Sequence, residues 1–316
     1  MVSDPYAAAV FVAHADWGVA SNKRWVARGR RRPNGGWSAC APVRVGVTGS
    51  LSERMGVPAG VEPVVLGFDF SIGVPEAYAR RAGITHFPTF LRQAGHGAWE
   101  AFFEVADAPA EISLQRPFYP RSGLPQGTKR RAQLEAALGL SWAELLRRCE
   151  RAQPDRRAAC ALFWTLGGNQ VGKGSLAGWR LLQAAPPDTS SFWPFDGVLD
   201  DLVQPGRVVV TETYPAESAQ HIGVGRVVGK QHQLVRRSHA PALVGFAERA
   251  GIRLDETLRA LIADGFGSSS AGEDPFDAVI GLFGMINVLA GGRPAHEPSD
   301  DAVRTVEGWI LGQARS

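Results

Sequence analysis

The stretch Glu62-Pro63-Val64-Val65-Leu66-Gly67-Phe68-Asp69-Phe70-Ser71-Ile72-Gly73-Val74-Pro75 carries the pattern on which the fold turns. A short apolar run rich in valine, entered from proline, predicts a buried strand. The run stops on a carboxylate, and Ser71, Gly73 and Pro75 then supply turn chemistry. Two other stretches repeat the arrangement. Ala8–Ala15 is apolar and runs into Asp16-Trp17-Gly18; Val208-Val209-Val210-Thr211 runs into Glu212-Thr213-Tyr214-Pro215. Strands apolar on both faces are covered on both sides, and the ends of such strands in open α/β sheets are where sites are built.

Around these runs, Lys23–Arg30 and Trp37–Val47 predict an antiparallel hairpin, because Asn34-Gly35-Gly36 between them is strong turn chemistry. From Glu76 to about Gly206 the character changes: Pro, Gly, Arg and Trp become frequent and the periodic segments read as helical. Ser141-Trp142-Ala143-Glu144 has capping-box spacing and predicts a helix start, with Arg147, Arg148 and Arg151 near that helix's end. After Arg207 the strand signal returns. Helices are then expected over Ala240–Ala250, Asp255–Ala263, Pro275–Leu289 and Asp300–Leu311. In the third, Ala278, Gly281 and Gly284 form a smooth face that lets the helix pack closely on a sheet. The expectation is an α/β fold, a mixed sheet flanked by helices. It is read as one domain over residues 1–316, interrupted by a large helical insertion at 76–205.

The chain has 316 residues, 45% of them apolar and 21% charged, which is enough apolar material for a sizeable core. A net charge of +3 neither demands nor excludes nucleic acid, since a groove needs only a local basic stripe. Cys40, Cys149 and Cys160 are scattered without a CxxC pair, so a thiolate zinc site and a disulfide framework are excluded. No run reaches the ~18 apolar residues of a membrane span. The apolar stretch Ala7–Ala13 lacks a basic flank and follows Asp4, unlike a secretory leader. A cytoplasmic protein with no membrane partner is expected; the oligomeric state is open.

Asp16, Asp69 and Glu212 end strands, and a fourth carboxylate, Asp277, opens a helix. Carboxylates brought together repel one another unless a cation joins them. Hard oxygen donors suit Mg²⁺ or Mn²⁺, and two such ions can serve phosphodiester hydrolysis. Each residue also has a plain structural reading. Asp16 and Asp69 could cap turns with Gly18 and with Ser71 and Gly73, and Asp277 could answer a helix dipole. Asp274 before Pro275 reads as an N-cap. Glu212 is harder to dismiss, because a charge on a buried strand needs a partner.

Other motifs compete. Gly167-Gly168-Asn169-Gln170-Val171-Gly172-Lys173-Gly174 nearly spells a P-loop, but Gly174 stands where the magnesium-binding hydroxyl belongs. What remains is a glycine-rich loop whose amides and Lys173 hold a phosphate, or a plain loop before a helix. Lys23 is a second candidate phosphate holder. Basic clusters at Lys129-Arg130-Arg131, Arg147-Arg148-Arg151 and Arg156-Arg157 could track a nucleic-acid backbone but read first as solvated helix faces, and Arg236-Arg237-Ser238-His239 is a further basic patch just after Lys230. The tryptophans at 25, 37, 164, 179 and 193 read as core or lining residues. His14 shares a strand face with Asp16; a core histidine bonded to backbone is its ordinary role. A GxSxG elbow and a GxGxxG turn after a strand are both absent.

The ordered set Ala15-Asp16-Trp17-Gly18, Gly67 through Pro75, Gly168 through Gly174, Thr211-Glu212-Thr213-Tyr214-Pro215-Ala216 and Asp274-Pro275-Phe276-Asp277-Ala278 resembles the ribonuclease-H-like nuclease family, from about residue 10 to residue 292. The resemblance implies a ribonuclease-H-like core and places Asp16, Asp69, Glu212 and Asp277 as ligands of Mg²⁺ or Mn²⁺. It implies a metal-dependent nuclease with nucleic acid as partner. Two other functions stay open: a nucleotide-hydrolysing or phosphotransfer enzyme on the same fold, and a non-catalytic nucleic-acid- or protein-binding module.

Overall fold

A computed structural model describes residues 9–33, 35–119, 130–153, 157–166 and 171–314. The chain divides into two compact units. The first runs up to Asp69 and adds Ala184–Glu297 and the stretch from Ile310; the second comprises Phe70–Gln183 and Pro298–Trp309. Among the described residues no helix is long and apolar enough to cross a membrane.

The first unit is built on a seven-stranded mixed sheet. Its strands are β1 (Phe11–Asp16), β2 (Trp25–Arg31), β3 (Trp37–Arg44), β4 (Val64–Phe68), β5 (Ser190–Phe192), β6 (Val208–Glu212) and β7 (Ile252–Leu254), in the order β5-β6-β4-β1-β2-β3-β7. The expected hairpin is present: β2 pairs antiparallel with β3 and with β1. The expected turn residue Asn34 lies outside the described residues. β1, β4, β6 and β5 run parallel to one another. Parallel pairing in register sets Ala15 beside Phe68, and Phe68 beside Glu212. The three carboxylate-ended runs therefore finish side by side, as strands of one sheet.

The helix Glu273–Leu289 lies across β1, β2 and β4 and is buried along nearly its whole length. Its glycines explain the close approach. A Cβ on Gly281 would overlap the His14 ring of β1, and one on Gly284 would overlap Ser218 of the Pro215–His221 helix. Met285 occupies the space left open by Gly67 on β4.

Several elements differ from the sequence reading. β5 and β7 are three residues each, too short to show a period, and pair only at the sheet's two edges. Ser141 and Glu144 do exchange capping-box hydrogen bonds: the Ser141 amide donates to the Glu144 carboxylate at 2.8 Å. They close a turn, however, and not a helix. The last expected helix ends at Glu307, where Gly308 takes a left-handed φ of 70°.

The second unit has an aromatic core. Phe87, Phe90, Phe102, Phe118, Phe163 and Trp179 pack edge-to-face or stacked, with ring centroids of neighbours 4.8–6.4 Å apart. The basic residues expected on solvated faces are used differently. Arg147 is fully buried. Its guanidinium pairs with Glu150 at 2.9 Å and donates to the Glu307 carbonyl at 2.9 Å. The Glu307 carboxylate accepts from the amides of Glu76 and Arg148, and Arg148 itself pairs with Glu76 and Asp300. These arginines tie Pro298–Trp309 to the body of their unit. Lys129 and Arg156 of the other clusters lie outside the described residues. Trp37, Trp179 and Trp193 are buried, in keeping with core roles.

Candidate functional site

Asp16 ends β1, Asp69 follows β4 directly, and Asp277 sits in the first turns of the Glu273–Leu289 helix. All three belong to the first unit and come together on the face of the sheet that the helix covers. The local chain shapes the pocket. The Trp17 amide donates to Asp69 at 2.7 Å, and Asp69 is hydrogen-bonded to Asp16. Arg24 stacks over the Trp17 ring at 4.1 Å and donates to the Gly18 carbonyl at 2.7 Å, which holds the turn after β1. The side chains of Asp16 and Asp69 reach the surface in part, whereas Asp277 is buried.

Electrostatics mark the cluster. Burial, then the charges of Asp69, Asp277 and Asp274, push the Asp16 carboxyl well above the usual range. Burial lifts Asp69 to about 7 against the Trp17 hydrogen bond, and Asp277 to about 6 against Lys230. Asp274 is raised by burial as well. It lies inside the first turn of a helix that begins at Glu273, so it is not the N-cap that its place before Pro275 suggests.

Sequence reasoning missed Lys230. Its ammonium contacts the Asp277 carboxylate and stands 3.4 Å from Glu273. Burial works against its charge, but Asp277, Glu273 and Asp16 together hold its pKa above the ordinary value. Arg236, expected in an exposed basic patch, is instead fully buried. Its guanidinium donates to the carbonyls of Lys230, Gly265, Gly267 and Ser269 at 2.6–3.0 Å. It braces the backbone under Lys230 and leaves that side chain to the site. The signal available in the sequence was Gly229-Lys230 in a glycine-punctuated loop, with no spacing to tie it to Asp277.

Glu212 stands apart from the three aspartates. Thr213 faces Gly67 on the helix-covered side, so by strand alternation Glu212 points to the other side, with its register partner Phe68. It is buried there. Lys23 closes the short turn Ser21–Lys23 in the same unit, and its charge acts on Asp274 at the rim. Lys173 lies in the second unit, in the first turn of the helix Val171–Leu182. Residues 167–170 of its glycine-rich loop lie outside the described residues. His14 is buried under the cluster, its Nδ1 3.1 Å from the Ala278 carbonyl, and burial lowers its pKa to about 3. It is a neutral core histidine.

The donor set fits a hard divalent cation. The charges of Asp69 and Asp277 act on Asp16, and that of Asp277 on Asp69, so three hard oxygen-donor groups stand close together. As placed, they do not yet form a cage: among the described residues no three His, Cys, Asp or Glu side chains converge on one ion position. No family model, curated protein or solved structure matches the chain.

The raised carboxyls have a consequence for stability. Asp16, Asp69 and Asp277 ionise above their unfolded values of about 4. Their contribution is therefore fully present below about pH 4 and is lost as pH rises through 6 and 7. His14 opposes this, because its lowered pKa costs stability as pH falls below about 6.5. Three carboxyls outweigh one imidazole, while Lys230 stays charged throughout. In EDTA the melting temperature should fall between pH 5 and 7.5. A flat or rising profile from scanning calorimetry would show that these carboxyls are not jointly buried.

Proposed function

We infer that the protein is a metal-dependent phosphodiester hydrolase acting on nucleic acid, with Asp16, Asp69 and Asp277 as the ligands of Mg²⁺ or Mn²⁺. The observation that carries this reading is the proximity of two strand-end aspartates and one helix-start aspartate, close enough that the charges of Asp69 and Asp277 act on Asp16. The sheet supports a ribonuclease-H-like assignment. Three antiparallel strands, β1 to β3, continue through parallel β4 and β6 in the order β3-β2-β1-β4-β6, with β5 and β7 added at the edges.

Asp16, Asp69 and Asp277 would hold the divalent ion, whose chemistry would be Lewis-acid activation of water and charge stabilisation on the departing phosphodiester oxygen. The chain's own residues do the rest. Asp16, on which the charges of both Asp69 and Asp277 act, is the carboxylate that would be shared in the ligand set. The Trp17 amide fixes the rotamer of Asp69. Lys230 and Lys23 offer positive charge to a phosphate at the rim. Glu212 acts from the far face as a structural residue of β6, or not at all in the chemistry. Lys173 enters only if the second unit contributes to substrate binding.

The test is direct. Wild-type protein incubated with single- and double-stranded DNA and RNA should cut at least one of them with Mg²⁺ or Mn²⁺, and EDTA should stop the reaction. Metal binding without cleavage of any of these substrates would favour nucleotide hydrolysis or phosphotransfer. Neither binding nor cleavage would favour a binding module.

A further inference from the structure

Lys230 stands where the proposed metal site needs a cation. Its ammonium touches Asp277, lies 3.4 Å from Glu273, and its charge reaches Asp16 and Asp69. We propose that Lys230 is a resident counter-ion that competes with the divalent cation and must release Asp277 before the three aspartates can close on a metal. This inference rests on reading Asp16, Asp69 and Asp277 as a cation site.

Three observations support it. First, the aspartates lie together yet, among the described residues, do not converge on one ion position, and one carboxylate oxygen of Asp277 is held by Lys230. Second, the exchange needs no backbone movement. Arg236 pins the Lys230 carbonyl at 2.6 Å together with three carbonyls of residues 265–269, so the main chain stays fixed. The side chain is 34% exposed and carries a flexible four-carbon stem, so it can rotate out into solvent. Third, the charges favour exchange. One ammonium faces Asp277 and Glu273 together and its charge also reaches Asp16, and a divalent ion brings twice the charge to the same place. The lysine keeps Asp277 paired when no metal is bound, since an unpaired buried carboxylate is costly.

The experiment is Mn²⁺ titration calorimetry on the full chain at pH 7.5, comparing wild type, Lys230→Met and Lys230→Arg. Methionine keeps the stem and removes the charge. If the released state is populated about one part in ten, Lys230→Met should bind Mn²⁺ about tenfold tighter than wild type. Lys230→Arg, which keeps the competitor, should show no gain. Equal or weaker binding by Lys230→Met overturns the competition while leaving the metal site standing. No binding by any of the three at millimolar Mn²⁺ removes the metal reading itself, and the competition with it.

A second measurement uses the wild type alone and does not depend on a variant folding. The lysines of the chain are Lys23, Lys129, Lys173 and Lys230. Acylation of Lys230 by an amine-reactive ester, followed by peptide mass spectrometry and referenced to Lys173, should be slow in EDTA and accelerate with saturating Mn²⁺. A Lys230 rate that is unchanged or slowed by Mn²⁺ contradicts release.

Discussion

Asp16→Asn is expected to lose metal-dependent strand cleavage by on the order of 10³-fold or more, because removing one member of a unit that acts together removes most of its effect. Asparagine keeps the volume and gives up the charge that the other two aspartates cannot replace. The fold should survive. The Asp16 carboxyl is pushed up by burial and by the charges of Asp69, Asp277 and Asp274. Its neutral replacement relieves that repulsion when no metal is present. In EDTA at pH 7.5 the variant should therefore melt at or above wild type. Metal should separate them: wild type gains about 2.7 kcal/mol at a hundredfold excess over Kd, and Asp16→Asn loses that increment. An equal metal-induced shift in both proteins would remove Asp16 from the site.

Arg147→Met should be the most destabilising single change in the second unit. It would leave Glu150, a buried carboxylate, with the Ser71 hydroxyl and the Arg147 amide but without its cation. Breaking a buried pair from one side costs about 3–5 kcal/mol. It also frees the Glu307 carbonyl that the guanidinium holds. Urea unfolding should show the loss as a lower midpoint, and Arg147→Lys should recover only part of it, since an ammonium cannot reproduce the fork. Stability within about 0.5 kcal/mol of wild type, the range of ordinary surface changes, would mean that the Arg147–Glu150 pair is not buried as described.

The parts of the molecule that were legible in the sequence are those where one physical demand dominates. Val64–Phe68 and Val208–Glu212 must be apolar because both faces of a central parallel strand are covered, and they read as strands at once. Gly281 and Gly284 announced close packing of their helix, on the sheet at His14 and on the Pro215–His221 helix at Ser218, because a side chain at either position would collide. Asp16 and Asp69 stood out as charges at the ends of apolar runs, and Asp277 as a charge at a helix start. Glu212 has the same local pattern, yet one residue of alternation puts it on the other face; a strand's last residue does not reveal which face it takes until its neighbours are known.

Tertiary pairing hid the rest. Arg147 and Arg236 stood in basic clusters of the sequence, and both are buried where distant backbone carbonyls, at Glu307 and at Gly265 to Ser269, come to meet them. Lys230 meets Asp277 across 47 residues of chain, and no local motif encodes that distance. The strands β5 and β7 gain their hydrogen bonds at sheet edges that only the complete sheet supplies.

The central claim is that Asp16, Asp69 and Asp277 form one cation site, and anomalous diffraction from crystals soaked in Mn²⁺ tests it most directly. The account predicts a manganese peak bounded by oxygens of these three aspartates, with the Lys230 ammonium withdrawn from Asp277. A crystal saturated with Mn²⁺ that shows no peak there, with Lys230 still on Asp277, would contradict it.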